Sequence, residues 1–340
     1  MTDRLRVALV GAGLAAHSHA LDIVTSDTLE LAGIVGTSSP SAAAMAGTFG
    51  GVPYRCLDAM LDDGAVDGVI IAVPPRAVFG VLERVTEAGK PCLVEKPVAT
   101  AESGLDLLEK LVRREAPVIA PFNRRYAPHV RQARAVLAAG EVGDIVGVDA
   151  VWRGPYRDRF GADGGTYRAS ACTREGVLLD SGAHALDAIS LLLGGIAGAR
   201  VGWAALRCNP RGAEVEGEVS FIAGPVSVAL RLIAVPEAPA CGGWRIQVRG
   251  TDGGLVLDHH GYTLENPHGV LRIVVAAAEM SRPVSDLHRL SHGREVLGTG
   301  INEVTVLSDL TIAIYGAASA GLAPWRRPRG KALGRLNGAC

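Results

Sequence analysis

The stretch LRVALVGAGLAA, residues 5–16, runs from a β-branched apolar segment of strand length into a glycine turn that opens a helix. Gly11-Ala12-Gly13-Leu14-Ala15-Ala16 has the form G-x-G-x-x-A. Gly11 permits the tight reversal, Gly13 lets a pyrophosphate approach the backbone, and Ala16 is small enough for the helix to pack on the strand. The first helical N–H groups, from Leu14 and Ala15 onward, offer partial positive charge to phosphates. Alone the motif is weak, since ordinary strand–helix turns resemble it. Its place between the first strand and the first helix points to dinucleotide binding.

Working outward, the runs LRVALV, LELAGIV, VDGVIIAV, PCLVE and APVIAPF alternate with helix-like patterns at 15–26, 40–49, 76–88 and 101–114. Alternating β and α units imply a parallel sheet wrapped by helices, an α/β Rossmann domain over residues 1–122. After residue 123 the rhythm changes. A helix at 128–139 leads to a strand at 145–153, an irregular loop rich in Gly, Arg and Tyr, and a helix at about 179–193. GARVGWAALRC, VEGEVSFIA, VSVALRLIAV, WRIQVRG, GGLVLDH and VLRIVVAA then read as strands, and a last helix spans about 302–322. Residues 123–340 are therefore expected to form an α+β domain with a large open, mostly antiparallel sheet. A chain of 340 residues has room for two such cores.

Composition excludes several function classes. Net charge is −1, and the longest basic run is WRRPRGK at 325–331, so no nucleic-acid footprint is expected. Apolar runs are interrupted well before the length of a membrane span, and MTDRLRVALVGAG lacks a signal-peptide cleavage region; the expectation is a cytoplasmic protein. Cys56, Cys92, Cys172, Cys208, Cys241 and Cys340 are scattered without metal-site spacing, which argues for reduced thiols and no metal.

The second strand ends LAGIVGTSSPSA. An acid there would take the ribose hydroxyls of NAD; Gly36, Thr37, Ser38 and Ser39 stand in its place and carry no charge to repel a 2′-phosphate. NADP is expected to be preferred, with NAD possible. Residues 92–99, CLVEKPVA, place Glu95-Lys96-Pro97 at the carboxyl end of a central strand, where ligands bind in open α/β sheets. One of only four lysines thus faces the crevice. Val73, Pro74 and Glu95 are further expected cofactor contacts.

In order along the chain, the glycine turn with His19, Glu95-Lys96-Pro97, Asn123-Arg124-Arg125-Tyr126 and LLDSGAHALD at 178–187 resemble the Gfo/Idh/MocA oxidoreductases, and the likeness covers about residues 4–322. The resemblance implies a Rossmann domain, a C-terminal domain bearing the substrate site on its sheet and commonly the oligomer interface, and catalysis by Lys96, Asp180 and His184. It also implies Arg124 at the cofactor and Asn123, Arg125 and Tyr126 near the substrate. Asp180 and His184, four apart, are expected on one helix face, where the carboxylate would orient the imidazole and raise its basicity. Where many members have glycines before this motif, Thr173-Arg174-Glu175-Gly176 stands here. Tyr156, Tyr167 and Arg168, in the preceding loop, are candidate substrate contacts.

The expected function is NAD(P)-dependent hydride transfer at a secondary alcohol or ketone of a sugar, sugar nucleotide or cyclitol, by a homodimer or homotetramer. An NAD-retaining glycosidase or epimerase, and a non-catalytic sensor of dinucleotide or sugar, are the alternatives.

Overall fold

A computed structural model describes residues 4–99, 102–161, 168, 174–235, 243–275 and 281–319. The first part of the chain forms β1 (Leu5–Val10), α1 (Leu14–Val24), β2 (Leu29–Val35), α2 (Ser39–Phe49), β3 (Val52–Tyr54), α3 (Leu57–Asp62), β4 (Gly68–Ile71), α4 (Val78–Glu87), β5 (Cys92–Val94), α5 (Glu102–Arg113) and β6 (Val118–Ala120). The second forms α6 (Pro128–Ala138), β7 (Ile145–Gly154), α7 (Tyr156–Arg159), α8 (Ala183–Leu193), β8 (Arg200–Cys208), β9 (Glu214–Ala223) and β10 (Val226–Ala234). It continues through β11 (Trp244–Gly250), β12 (Gly254–Asp258), β13 (Gly261–Asn266), β14 (Gly269–Val274), α9 (Val284–Ser291), β15 (Thr299–Gly300) and α10 (Ile301–Ser319).

Seven strands make the first sheet in the order β15-β6-β5-β4-β1-β2-β3. All its pairings are parallel except β15 on β6. Strand order reverses between β1 and β4, so the crevice lies above their carboxyl ends, with β5 and its Lys96 next in line. The core strands read as continuous apolar runs because helices cover both faces: Val7, Leu9, Ile70 and Leu93 pack on one side and Ala8, Val69, Ile71 and Val94 on the other.

The second sheet has eight strands in the order β14-β13-β12-β11-β7-β10-β9-β8, antiparallel throughout except β10 beside β7. Its apolar side packs on α8, whose residues are buried nearly all round. The expected division at residue 122 is not clean. β15 adds an edge to the first sheet, and Val284 and Leu287 of α9 join the first domain's core, while α10 packs against both α5 and β8. Among the described residues no helix is long and apolar enough to cross a membrane, and no cluster of metal ligands occurs. Cys56, Cys92 and Cys208 are free thiols; the other three cysteines, and the expected last turn of the C-terminal helix, lie outside the described residues.

Candidate active site

Gly11 has φ +125°, and a Cβ there would stand 2.2 Å from the carbonyl oxygen of Ala72, so only glycine fits. A Cβ at Gly13 would meet nothing within 4 Å. Gly13 is also the N-cap of α1 and supplies no side-chain cap; Leu14 and Ala15 are exposed, and Ala16 is buried against the sheet. Open space before uncapped N–H groups fits a dinucleotide pyrophosphate.

Past β2, Ser38 and Ser41 form a capping box on α2: the Ser41 N–H donates to Ser38 Oγ (3.4 Å) and the Ser38 N–H to Ser41 Oγ (3.2 Å). Ser38 is thus committed to its own helix, and Thr37 and Ser39 remain exposed. A side chain at Gly36 would meet Ser41 Oγ at 2.4 Å and the Ala42 nitrogen at 2.8 Å, so glycine is required there by packing.

Lys96 leaves β5 and crosses to the second domain. Its Nζ donates to the Asp180 carbonyl oxygen (2.9 Å) and lies 3.5 Å from Asp180 Oδ1. The same carboxylate accepts from Arg168 Nη2 (2.7 Å) and Nε (3.1 Å) at Oδ1, and from Arg159 Nη1 (2.9 Å) at Oδ2. Burial alone would raise the Asp180 pKa, but Lys96, Arg168 and Arg159 outweigh it and hold the group below the usual carboxylate range. Lys96 is pushed down by burial and partly held up by Asp180. Glu95 does not pair with Lys96; its Oε1 lies 2.8 Å from Nε2 of buried His19, which ties α1 to the end of β5. Glu95 is therefore better placed to brace the crevice than to contact a cofactor.

Asp180 and His184 make no hydrogen bond with each other. Residues Leu178–Gly182 form a single π-helical turn before α8. The Asp180 carboxylate turns to the three cations, whereas the His184 ring packs edge-on to Phe122. Burial, followed by Lys96 and Arg124, pushes the His184 pKa well below its ordinary value despite an opposing pull from Asp180. The imidazole is neutral near pH 7, and its buried Nδ1 has no hydrogen-bond partner. Asp180 organises cations here; its pull on His184 toward higher basicity is outweighed by burial and by Lys96 and Arg124.

The other expected contacts divide. Pro74 lines a cavity at the domain junction with Pro75, Arg76, Pro97, Glu175, Leu179 and Asp180, next to half-buried Val73. Asn123 keeps a buried, unpartnered Oδ1, and Arg124 stacks over Trp244. Arg125 and Tyr126, expected near the substrate, are committed elsewhere. Arg125 pairs with Asp187 (2.8 Å) and Glu303 (2.9 Å), and the hydroxyl of fully buried Tyr126 donates to Asp286 (2.8 Å). Tyr156 is buried, Arg168 is on Asp180, and Tyr167 lies outside the described residues.

Sequence reasoning missed Arg159, whose Arg-rich loop was the only signal, and the Trp152–Trp244 stack, which no motif announces. It also missed the two-point ion pair between Arg76 and Glu175 (2.6 and 2.7 Å) that bridges the loop after β4 and the loop before Asp180. Glu175 stands where the expected glycines are absent.

Comparison with known proteins agrees with this architecture. Residues 5–121 match the oxidoreductase family with an NAD-binding Rossmann fold, and residues 130–256 match the GFO/IDH/MocA C-terminal domain. A dTDP-3,4-didehydro-2,6-dideoxy-alpha-D-glucose 3-reductase from Streptomyces violaceoruber is 32% identical over 258 residues, 75% of this chain and 72% of its own. An inositol 2-dehydrogenase from Corynebacterium glutamicum is 32% identical over 200 residues, 57% of this chain and only 56% of its own. An oxidoreductase from Agrobacterium radiobacter, solved with NAD+, L-tartaric acid and magnesium, superposes with a TM-score of 0.78 at 21% identity, covering 94% of this chain and 97% of that one. A 3-ketoreductase from Actinomadura kijaniata solved with NADP gives 0.73 at 20% identity over 93% and 98%. With both family domains matched along most of its length, the chain belongs to the Gfo/Idh/MocA family of oxidoreductases.

Proposed function

We propose that this chain is an NAD(P)-dependent dehydrogenase or ketoreductase acting on a secondary alcohol or ketone of a sugar, sugar nucleotide or cyclitol. The observation that carries this reading is Lys96 reaching from the dinucleotide domain to Asp180, beside a neutral His184. A nicotinamide bound at this strand edge supplies the hydride acceptor or donor. His184 takes the hydroxyl proton in oxidation and returns it in reduction. The Lys96 ammonium donates to the oxygen as charge develops on it, and Asp180 fixes that ammonium together with Arg159 and Arg168. The names of the sugar-nucleotide reductase and inositol dehydrogenase relatives support the substrate class. NADP is the preferred cofactor on the strength of a β2 end without a carboxylate, and free thiols at Cys56, Cys92 and Cys208 suit work in the cytoplasm.

The test is NAD(P)H fluorescence with a panel of cyclitols, free sugars and keto-sugar nucleotides. Cofactor-dependent turnover on at least one class is expected. Glycoside cleavage or epimerisation without added cofactor would move the assignment to a cofactor-retaining enzyme, and saturable binding without turnover to a sensor. The second sheet supports a homodimer or homotetramer: Val270, Leu271 and Val274 of edge strand β14 are exposed, as are Val146 and Ile222. Light scattering should report at least twice the 35.2 kDa chain mass at micromolar concentration; a monomer would refute this.

A further inference from the structure

The cleft holds a cation that nothing described balances. Lys96, Arg159 and Arg168 share the single carboxylate of Asp180, whereas Arg124 has no carboxylate partner at all among the described residues, and its buried Nε has no hydrogen bond. A guanidinium stays charged at any physiological pH, and removing it from water without a counter-ion is costly. Its face is occupied, since the guanidinium carbon lies 5.1 Å from the centre of the Trp244 ring. With one face against the indole, the planar edge offers parallel N–H groups that match a carboxylate.

Two further groups are orphaned in the same aromatic stack. Trp244 is 5% exposed and its Nε1–H has no acceptor; His129, stacked on Trp244, gives its Nε2–H to the Asp258 carbonyl oxygen (3.1 Å), so its unpartnered Nδ1 is an acceptor and the indole is the free donor. A buried donor without an acceptor costs stability until something accepts from it. The position is also close to the chemistry, because Arg124 and Lys96 both act electrostatically on His184. A neutral polyol would leave the Arg124 charge uncompensated. A phosphate can use the same edge, so a phosphorylated sugar is the comparison that separates the two anions.

We infer that Arg124, backed by Trp244, is a subsite for a carboxylate on the substrate, so that the preferred substrates are acidic sugars or cyclitols. This inference rests on the reading of the cleft as a site for sugars or cyclitols.

Isothermal titration of the full chain with D-glucuronate and D-galacturonate, against D-glucose, D-galactose and glucose 6-phosphate at constant ionic strength, tests it. The uronates should bind about tenfold or more tightly than the neutral sugars, as expected of a charge-assisted hydrogen bond. Arg124→Met should erase the preference and Arg124→Lys should keep part of it; circular dichroism checks folding, and Trp244→Phe replaces any variant that does not fold, with a reduced preference expected. Equal affinity for acid and neutral sugars, or no binding of either, would overturn the inference. So would tightest binding of glucose 6-phosphate, or an Arg124→Met protein that keeps the preference and loses NADP+ affinity instead. Failure of the two readings is separable. A uronate preference without NAD(P)H formation from any sugar sinks hydride transfer and leaves the subsite standing, whereas turnover of neutral sugars undisturbed by Arg124→Met does the reverse.

Discussion

His184 is driven toward its neutral form first by burial and then by the charges of Lys96 and Arg124, and Lys96 is itself driven down from its ordinary value by burial. The consequence belongs in the pH profile of kcat/KM, which reports groups of the free enzyme. His184 must be neutral to accept a proton, so oxidation is lost only as pH falls through its depressed pKa. Lys96 must be protonated to donate, so activity is lost as pH rises through a pKa under the ordinary 10.5. The acid limb should therefore lie well below 6.5. Asp180→Asn removes a charge that raises both groups, and both limbs should move to lower pH. An acid limb at 6.5 in the unmodified protein would contradict this placement of His184.

At the scale of elements, the turn between β2 and α2 decides cofactor choice. Gly36 is closed to substitution by Ser41 and Ala42, whereas Thr37 is exposed at the same edge. Thr37→Asp should shift the ratio of NADP to NAD affinities toward NAD by about tenfold, or about 1.4 kcal/mol, by placing a carboxylate against the 2′-phosphate. Isotherms for both cofactors measure it; a wild-type chain that binds NAD more tightly would sink the preference. Most elements of the dinucleotide domain could be read from sequence, because apolar runs such as LRVALV and VDGVIIAV are broken by turns at regular intervals. Short β3, α3 and β15 carry too little periodicity to announce themselves. The π turn was illegible for another reason: LLDSGAHALD fits an α-helix equally well. Arg125 and Tyr126 were misread because the motif fixes their place at the junction, not the direction of their side chains.

Across the whole molecule, the domains are joined beneath the cleft by a buried polar hub. Arg125 binds Asp187 of α8 and Glu303 of α10, Thr299 of β15 donates to Asp187 (2.7 Å), and Asp286 of α9 accepts from Tyr126 and from the backbone of Leu297 and Gly298. Arg125→Met removes the cation that opposes burial at Asp187, whose pKa is already pushed up to about 6. The carboxyl must then take up a proton or stay charged with only the Thr299 hydroxyl beside it. Breaking this buried pair should cost about 3–5 kcal/mol in urea unfolding. A loss under about 1 kcal/mol, the scale of an exposed pair, would show the hub to be solvated. This rigid junction is what lets Lys96 from one domain meet Asp180 and His184 from the other. The central claim is tested most directly by single-turnover hydride transfer on a substrate identified from the panel, with cofactor affinity measured alongside. Lys96→Ala and His184→Ala should each slow transfer by about 10² to 10⁴ with little change in cofactor affinity, and the double variant should fall far short of the product of the two. Near-wild-type transfer in either single variant, or a loss explained wholly by weaker cofactor binding, would contradict the account.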